Sequence, residues 1–229
     1  VILSDIVGDP VDMIASGPVS PDSSTCADAL AVAEKYALRL SDRAQELLAR
    51  ETPKTADNVM VRITGSVREL CAAAATACRE RGYAPEILTD CEQGVAREVG
   101  ARLGALARES AAANIPRAFI LGGETVVRLT GNGKGGRNQE LALAAAAEIA
   151  NLPNAVVFSV GSDGTDGPTD AAGGLVDGGT VKRLAAAGKT VAEVLENNDA
   201  YHALRDTGDL IITGPTGTNV NDFAAALVR

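Results

Sequence analysis

From residue 59 onward, apolar runs of strand length alternate with longer segments of helical periodicity, and this alternation constrains the fold more than any other feature. Strands are predicted at 59–64, 83–89, 117–122, 125–130, 155–161 and 209–213, with a final strand within 219–229. Helices are predicted at 66–82, 93–112, 138–149, 179–187, 190–197 and 199–206. Strands that alternate with helices form a sheet with helices packed on its faces. We therefore expect an α/β fold with a mixed, mostly parallel sheet flanked by helices.

The N-terminal residues predict a second, incomplete unit. Residues 1–4 (VILS) are typical of a buried strand, 5–22 of a Gly-, Pro- and Asp-rich loop, and 23–38 and 42–51 of helices. A buried strand needs neighbours, and the chain does not begin with Met, so we expect a piece of a longer protein. The polar link 52–58 is the predicted boundary. It separates the remnant of a Rossmann-like α/β domain (1–57) from a second α/β domain (58–229).

Composition limits the partners and the compartment. The net charge of −9 disfavours nucleic acid and anionic membranes as partners. The sequence has no run of about 18 apolar residues and no signal-peptide pattern, which predicts no membrane span. Its four cysteines lack C-x-x-C spacing and fit reduced thiols, so we expect a cytoplasmic protein. The single histidine, His202, disfavours a zinc site or a Ser-His-Asp triad.

The stretch GNGKGGRNQE (131–140) lies between a predicted strand and a predicted helix, and its glycines match the dinucleotide fingerprint G-x-G-x-x-G. Two features weaken a dinucleotide site. The polar residues Arg137 to Glu140 follow the third glycine, where close packing of helix on strand favours small apolar residues. The run before the loop also alternates, as half-exposed antiparallel strands do.

The same loop carries two cations beside a predicted helix start, which favours an anion site. The N–H groups of Gly133, Gly135 and Gly136 could converge on an oxyanion, and a helix N-terminus adds partial positive charge. Lys134 would supply a mobile point charge and Arg137 a two-pronged donor for phosphate or carboxylate. The alternative is a glycine-rich hairpin with a solvated lysine and arginine.

Three further stretches carry polar side chains at or near the ends of predicted strands. SVGSDGTDGPTDAAGG (159–174) contains Asp163 and Asp166, which could hold Mg²⁺, orient a hydroxyl or act as a base, or could merely form turns. TGPTGTNVND (213–222) offers Thr216 and Asn219 as hydrogen-bonding groups for a polar ligand, or is a plain loop. Asp5 follows the first predicted strand. Ligands bind beyond the carboxyl ends of strands in α/β sheets, so we expect these loops to converge on one cleft.

Several of these motifs together resemble the glycerate 2-kinase family of the MOFRL type. The resemblance rests on SDIVGDPVDMIASGPVSPD, GGETVVRLTGNGKGGRNQELALA, GSDGTDGPTDAAGG and ITGPTGTNVNDF, in this order along the chain. It implies ATP-dependent, Mg²⁺-assisted phosphorylation of D-glycerate to 2-phosphoglycerate, by two α/β domains with the active site between them. Some members of the family have been labelled hydroxypyruvate reductases, so an NAD(P)-dependent reductase and a non-catalytic metabolite-binding module remain as alternatives.

The resemblance also implies roles for individual residues. Asp5 matches an acidic residue of the family's cleft and Arg137 its arginine, and we add Lys134 as a third catalytic candidate. The candidate substrate- or phosphate-binding residues are Gly133, Gly135, Gly136, Asn138, Glu124, Asp163, Asp166, Thr216 and Asn219, with Asp163 as candidate Mg²⁺ ligand. The family's key lysine would lie upstream of residue 1, so we expect the chain alone to be inactive or impaired. The expected partners are D-glycerate and a nucleotide, and a homodimer is left open.

Overall fold

The computed structural model describes residues 6–63, 65–113 and 115–229. The chain divides into two compact units, Val1–Ile63 and Thr64–Arg229. The strand predicted at 1–4 and the candidate residue Asp5 lie outside the described residues.

The regular elements in the described part of the first unit, residues 6–63, are short helices joined by irregular segments. It contains a short 3₁₀ helix (Ile14–Ser16), α1 (Cys26–Lys35) and α2 (Asp42–Leu48). Thr25 begins α1 with a capping box, because its hydroxyl accepts from Asp28 N while the Asp28 carboxylate accepts from Thr25 N. The predicted strand at 59–64 is wrong for the described residues 59–63, which pair with no other strand. Alternating apolar residues favour a strand, but only a neighbouring strand completes its hydrogen bonds.

The second unit contains a six-stranded mixed sheet. Its strands are β1 (Ala84–Glu92), β2 (Arg117–Gly123), β3 (Ala155–Gly161), β4 (Gly173–Asp177), β5 (Leu210–Ile211) and β6 (Asp222–Val228), in the order β1-β2-β6-β3-β4-β5. The α/β class with a mixed sheet is confirmed. The expectation of a mostly parallel sheet is wrong, because β1 and β2 pair in parallel and the other four pairings are antiparallel. The last strand of the chain, β6, inserts between β2 and β3 and runs opposite to both.

Helices cover the sheet. They are α3 (Val67–Glu80), α4 (Ala96–Ser110), α5 (Arg137–Glu148), α6 (Thr180–Ala186), α7 (Val191–Glu196) and α8 (Ala200–Thr207), and each confirms a predicted helix. Successive side chains of a strand point to opposite faces. Accordingly, Phe119 and Leu121 of β2 pack into the larger core with α4 and α5, whereas Ile120 packs with Val67 and Cys71 of α3 on the other face.

The helices approach closely because their contact faces are built from glycine and alanine. A Cβ on Gly100 of α4 would lie 2.1 Å from the carbonyl oxygen of Leu141 in α5, so only glycine fits there. A Cβ on Gly104 of α4 would likewise lie 2.9 Å from the carbonyl oxygen of Ala145 in α5. This close packing explains how a chain with 3% aromatic residues fills its core.

Two strand assignments in this unit differ from the prediction. Residues 125–130 form no strand and contribute one isolated bridge, Val95 to Val126. The N–H of Thr130 instead donates to the Asn198 side chain. Strand β4, conversely, lies in a glycine-rich segment that predicted a loop. Its first residue is glycine because a Cβ on Gly173 would lie 1.9 Å from the carbonyl oxygen of Ser159 in β3.

Candidate functional site at the edge of the sheet

The carboxyl ends of β2 and β3 meet the first residue of β6 at one edge of the sheet. Asp222 of β6 is in register with Gly123, the last residue of β2, and with Gly161, the last residue of β3. The residues next to these positions, Glu124 and Ser162, are therefore brought together by strand register. This is the edge at which ligands bind in open α/β sheets.

Arg137, the first residue of α5, reaches this edge. Its Nε donates to Asp222 Oδ2 at 2.5 Å and its Nη2 to Asp222 Oδ1 at 3.1 Å, while Nη1 lies 3.2 Å from Glu124 Oε1. The hydrogen bonds to Asp222 raise the pKa of Arg137 further above its usual range, so the side chain is always charged. A guanidinium has five N–H groups. These three contacts leave capacity for oxygens of a ligand, and the side chain is 35% exposed.

Asp222 is the fixed partner of this arginine. Its side chain is 9% exposed and lies at the start of the apolar strand β6. A buried carboxylate is costly unless it is paired and hydrogen-bonded, and Arg137 satisfies both of its oxygens. Sequence reasoning did not select Asp222. The available signal was a single acid at the head of the apolar run DFAAALV.

Glu124 is the more exposed partner, with 41% of its side chain accessible. Its backbone N–H donates to the Glu92 carbonyl at 2.8 Å, and its Oε2 accepts from Asn221 Nδ2 at 3.3 Å. An incoming anion would therefore compete with Glu124 for the guanidinium more easily than with the buried Asp222. The structure thus brings Glu124 and Arg137, both predicted site residues, into direct contact.

Asp163 lies beside the cluster formed by Arg137, Asp222 and Glu124. Its carboxylate accepts from Thr165 N at 2.8 Å and from Thr165 Oγ1 at 2.9 Å, so the turn chemistry considered from sequence is present. A Cβ built on Gly161 would stand 3.1 Å from Asp163 Oδ1 and 3.6 Å from Asp222 Oδ1. The two carboxylates therefore flank the bare backbone of Gly161, and Asp163 is only partly buried.

The loop 213–221 is joined to the Asp163 loop by hydrogen bonds. Thr216 N donates to the Asp163 carbonyl at 3.1 Å, and Thr216 Oγ1 donates to the Ser162 carbonyl at 2.5 Å. Val220 N donates to Ser162 Oγ at 2.7 Å. Thr216 and Asn219 are both exposed. These contacts place the two predicted polar side chains on a loop anchored directly to the site.

The backbone N–H groups in the first part of the glycine loop are already used within the protein. Those of Thr130 and Gly131 donate to Asn198 Oδ1, that of Gly133 to the Asn197 carbonyl, and those of Asn132 and Lys134 to side chains at 197 and 199. These groups therefore cannot cradle an anion in this conformation.

The glycines of the loop are explained by packing instead. A Cβ on Gly133 would lie 2.5 Å from the Asn197 carbonyl oxygen, and one on Gly136 would lie 2.2 Å from Asp166 Cγ. Gly135 is different, since its nearest contacts would be at 3.4 Å. The G-x-G-x-x-G match thus reflects close approach of the loop to its neighbours.

Lys134 is directed to α8. Its Nζ lies 4.5 Å from the centre of the Tyr201 ring, in a cation–π contact, and its backbone carbonyl accepts from Tyr201 N at 2.9 Å. The Tyr201 hydroxyl donates to Asp170 Oδ1 at 2.7 Å. The structure therefore does not bring Lys134 into contact with the cluster around Arg137.

Asn138 and Asp166 are buried beneath the start of α5, at 1% and 3% exposure. Asp166 accepts from the backbone N–H groups of Asn138 at 3.1 Å and Gln139 at 2.9 Å, and from both side-chain amides. Burial raises the pKa of Asp166 to about 6, against hydrogen bonds that favour the charged form. The Asp166 carboxylate therefore lies at the N-terminus of α5, and both side chains are buried.

A small cavity lies behind the cluster, between the sheet and α5. Its volume is about 10 Å³, enough for about one water molecule. Its polar lining includes Thr125, Asn138, Ser159 and Asp222. Thr125 Oγ1 is buried and has no hydrogen-bond partner among the residues the structure describes.

Residues 6–63, 65–113 and 115–229 lack two features. No group of three or more His, Cys, Asp or Glu side chains is arranged to hold a metal ion within these ranges. No helix in them has the length and apolar character needed to cross a membrane.

The sequence matches two family models, which define the class of protein. The MOFRL family matches residues 117–222, which include Arg137, Asp163 and Asp222, and a domain of unknown function (DUF4147) matches residues 1–49. The chain belongs to the glycerate 2-kinase family. A glycerate kinase of Macaca fascicularis is 33% identical, with 100% of this chain and 71% of that relative covered.

Other relatives are similar to nearly the whole of this chain. A D-glycerate 2-kinase of Thermotoga maritima is 48% identical over 99% of this chain and 55% of its own length. The crystal structure of a glycerate kinase from Thermotoga maritima superposes with a TM-score of 0.95 at 48% identity, over 99% of this chain and 56% of that one. A relative in Agrobacterium vitis, provisionally named a hydroxypyruvate reductase, is 36% identical over 99% of this chain and 54% of its own length. The chain thus spans about half the length of the Thermotoga maritima relative.

Proposed function

We propose that this chain is part of a kinase that transfers a phosphoryl group from ATP to D-glycerate, giving 2-phosphoglycerate. The observation that carries the proposal is the arrangement of Arg137 at the carboxyl ends of β2 and β3. The buried Asp222 orients its guanidinium, and the exposed Glu124 occupies the position that a ligand anion can take. Phosphoryl transfer depends chiefly on positioning and on stabilising negative charge, and a fixed arginine provides both.

The surrounding side chains suit the remaining tasks. Arg137 would bind the glycerate carboxylate or the transferring phosphoryl group, with Lys134 as a more distant second cation. Thr216 and Asn219, exposed on the anchored loop, would hydrogen-bond the substrate or the nucleotide. Either Asp163 or Asp5 would accept the proton of the substrate hydroxyl. Gly133 and Gly136 would serve by letting the loop pack closely, which places Arg137, whereas Gly135 has room for a Cβ.

Magnesium fits the same edge of the sheet. Mg²⁺ prefers oxygen ligands and is commonly held by one or two carboxylates together with substrate phosphates. Asp163 offers a partly exposed carboxylate beside the Arg137–Asp222 pair, so it is the described residue that would hold the ion. When bound, Mg²⁺ would neutralise charge on the phosphates.

The wider organisation follows from the same proposal. Residues 58–229 would form the MOFRL-type domain and residues 1–57 the end of a preceding domain, in a cytoplasmic protein that acts on small molecules rather than nucleic acid. A homodimer is left open. The chain spans about half the length of the Thermotoga maritima relative, so turnover is proposed for a protein of that length that contains this chain.

The two alternatives have less support. A dinucleotide-binding loop follows directly from a buried strand, whereas residues 125–130 form no strand and the glycines pack against residues 197–199 and Asp166. A non-catalytic binding module would need no oriented arginine. Titration calorimetry separates this alternative, because it predicts binding of glycerate or ATP without ADP release in the longer protein.

The decisive test is turnover in a full-length protein that contains this chain. We expect ADP release that depends on D-glycerate, and a loss in kcat/KM of about 10²–10³-fold for Arg137→Ala, the size seen when one transition-state donor is removed. Arg108→Ala is the matched control, because Arg108 is an exposed arginine on α4 paired with Glu148, away from the site. Near-normal turnover of Arg137→Ala would refute the assignment. Oxidation of NADH with hydroxypyruvate, without ADP release, would support the reductase.

A further inference from the structure

We infer that Asp166 is a positioning residue for Arg137. It holds the first turn of α5, and this turn fixes the position from which the guanidinium reaches the site. The inference rests on the role proposed for Arg137. Asp166 itself is 3% exposed.

The contacts of Asp166 converge on the two residues that follow Arg137. Oδ1 accepts from the backbone and side-chain N–H groups of Asn138, and Oδ2 from those of Gln139, at distances of 2.9–3.3 Å. The Asp166 carbonyl accepts from Thr169 Oγ1 at 2.8 Å and from Gln139 Nε2 at 3.2 Å. Both the side chain and the backbone of Asp166 are therefore tied in place.

The hydrogen bonds from Asn138 and Gln139 to the Asp166 carboxylate form a clamp on the first turn of α5, and this clamp extends to the sheet. Ser159 Oγ of β3 donates to Asn138 Oδ1 at 2.6 Å, so the first turn of α5 is bonded to the strand that pairs with β6. Asp222, in β6, holds the other end of the arginine. Arg137 is thus fixed at its backbone through Asp166 and at its guanidinium through Asp222.

The chemistry of the clamp requires a carboxylate. Among the described residues, its two oxygens accept from the backbone and side-chain N–H groups of Asn138 and Gln139. An asparagine at 166 would present its own NH₂ group to some of these donors and could satisfy about half of them. Burial raises the pKa of Asp166 to about 6, and the hydrogen bonds from Gln139 and Asn138 oppose this rise by favouring the charged form.

The first test reads the position of Arg137 without using activity. We would measure hydrogen exchange by NMR at Arg137 Nε–H and at the backbone amides of Asn138 and Gln139. Asp166→Asn should speed exchange at all three positions by about tenfold or more, because the clamp on the first turn is lost. The control is Asp170→Asn, which removes a carboxylate from the same loop and should leave these positions within about twofold. Unchanged exchange at Arg137 Nε–H in a folded Asp166→Asn protein would overturn the inference.

A milder variant covers the case in which Asp166→Asn does not fold. Gln139→Met has a similar shape, keeps the backbone N–H donor to Asp166 and removes the side-chain donor to Asp166 and Thr169 Oγ1. The buried Gln139 Oε1 has no partner to lose among the described residues. We expect its exchange rates to lie between those of the wild-type protein and those expected for loss of the clamp. Wild-type rates in this variant would overturn the inference.

The second test is a double-mutant cycle in the full-length protein. A positioning role predicts that Asp166→Asn lowers kcat by about tenfold when Arg137 is present and has less than about a twofold effect in an Arg137→Ala background. An equal loss in both backgrounds would mean a general structural role and would overturn the inference. If the exchange result holds but the wild-type protein does not phosphorylate glycerate, the proposed function fails while the positioning of Arg137 stands.

Discussion

Alanine substitutions at Gly133, Gly135 and Gly136 separate the two explanations for the glycine loop. If the glycines serve close packing, the cost of each substitution follows the space around the added Cβ. That Cβ would lie 2.5 Å from the Asn197 carbonyl oxygen at Gly133 and 2.2 Å from Asp166 Cγ at Gly136, but 3.4 Å from its nearest neighbours at Gly135. If the glycines serve to bind an anion through backbone N–H groups, stability should not follow this order.

The magnitudes follow from these distances. Gly136→Ala forces the Asp166 carboxylate to move, so we expect an overpacking cost of about 1–3 kcal/mol plus about 1–3 kcal/mol for strained hydrogen bonds. Gly133→Ala meets backbone atoms, which yield only by a loop shift, and should cost about 1–3 kcal/mol. Gly135→Ala meets ordinary contacts at a residue without positive φ. It should be neutral or stabilise the protein by up to about 1 kcal/mol, because alanine reduces the freedom of the unfolded chain.

The assay is urea unfolding of the three variants beside the wild-type protein, with the free energy of unfolding taken from midpoints at constant slope. The expected order of stability is Gly135→Ala first, then Gly133→Ala, then Gly136→Ala. A Gly135→Ala variant as unstable as Gly136→Ala would refute the packing explanation. A neutral Gly136→Ala would refute it equally and would also question the contact with Asp166.

Three further outcomes are expected. Thr125→Val should change the free energy of unfolding by less than about 1 kcal/mol, because the Thr125 hydroxyl has no partner among the described residues. Thr180→Val should cost about 1–3 kcal/mol, because the Thr180 hydroxyl donates to Asp209. Equal losses in urea unfolding would show that Thr125 binds a water in the adjoining cavity. Burial raises the pKa of Asp166 from 3.8 to about 6, so between about pH 4 and pH 6 its carboxyl is protonated in the folded state but ionised in the unfolded state. The contribution of Asp166 to the free energy of unfolding therefore falls as pH rises through this window. Relative to Asp166→Asn, the wild-type protein should lose up to about 3 kcal/mol across that window, and a constant difference would contradict the shift. Glu140→Ala should cost about 3–5 kcal/mol, because it leaves the partly buried Arg97 without its carboxylate partner. Glu148→Ala, which breaks the more exposed pair with Arg108, should cost less than about 1 kcal/mol. Similar losses for both variants in thermal unfolding would argue that both pairs are solvated.

Helices were the most predictable elements of this chain. Ser66 before the α3 run and the periodic apolar residues of α4 and α5 are local signals, and each predicted helix in the second unit is present. Strands were less predictable because a strand exists only through its neighbours. The run at 125–130 alternates as a strand would, yet Thr130 N donates to the Asn198 side chain and the Arg128 carbonyl accepts from it. Strand β4 has little strand character of its own, yet it pairs with both β3 and β5.

The candidate site was predictable in part. Arg137, Glu124 and Asp163 were selected from sequence, because polar side chains among glycines after a strand favour a ligand site. Asp222 was not selected, since its importance depends on register with strands 60 to 100 residues away in sequence at Gly161 and Gly123. For Asp166, selected as a binding residue, the structure places the carboxylate against the N–H groups of Asn138 and Gln139 at the start of α5. Nothing in the loop sequence distinguishes a carboxylate that faces solvent from one that caps a helix from beneath.

The sequence by itself determined the helices, the α/β class and the family, because capping residues, periodicity and short motifs are local properties of the chain. Tertiary structure alone decided the strand directions, the insertion of β6 between β2 and β3, and the pairing of Arg137 with Asp222. It also decided that Gly133 and Gly136 pack closely against neighbouring residues and that the N–H of Gly133 donates to the Asn197 carbonyl. The physical reason is that each of these outcomes is fixed by contacts between segments distant in sequence, and such contacts exist only once the sheet has formed.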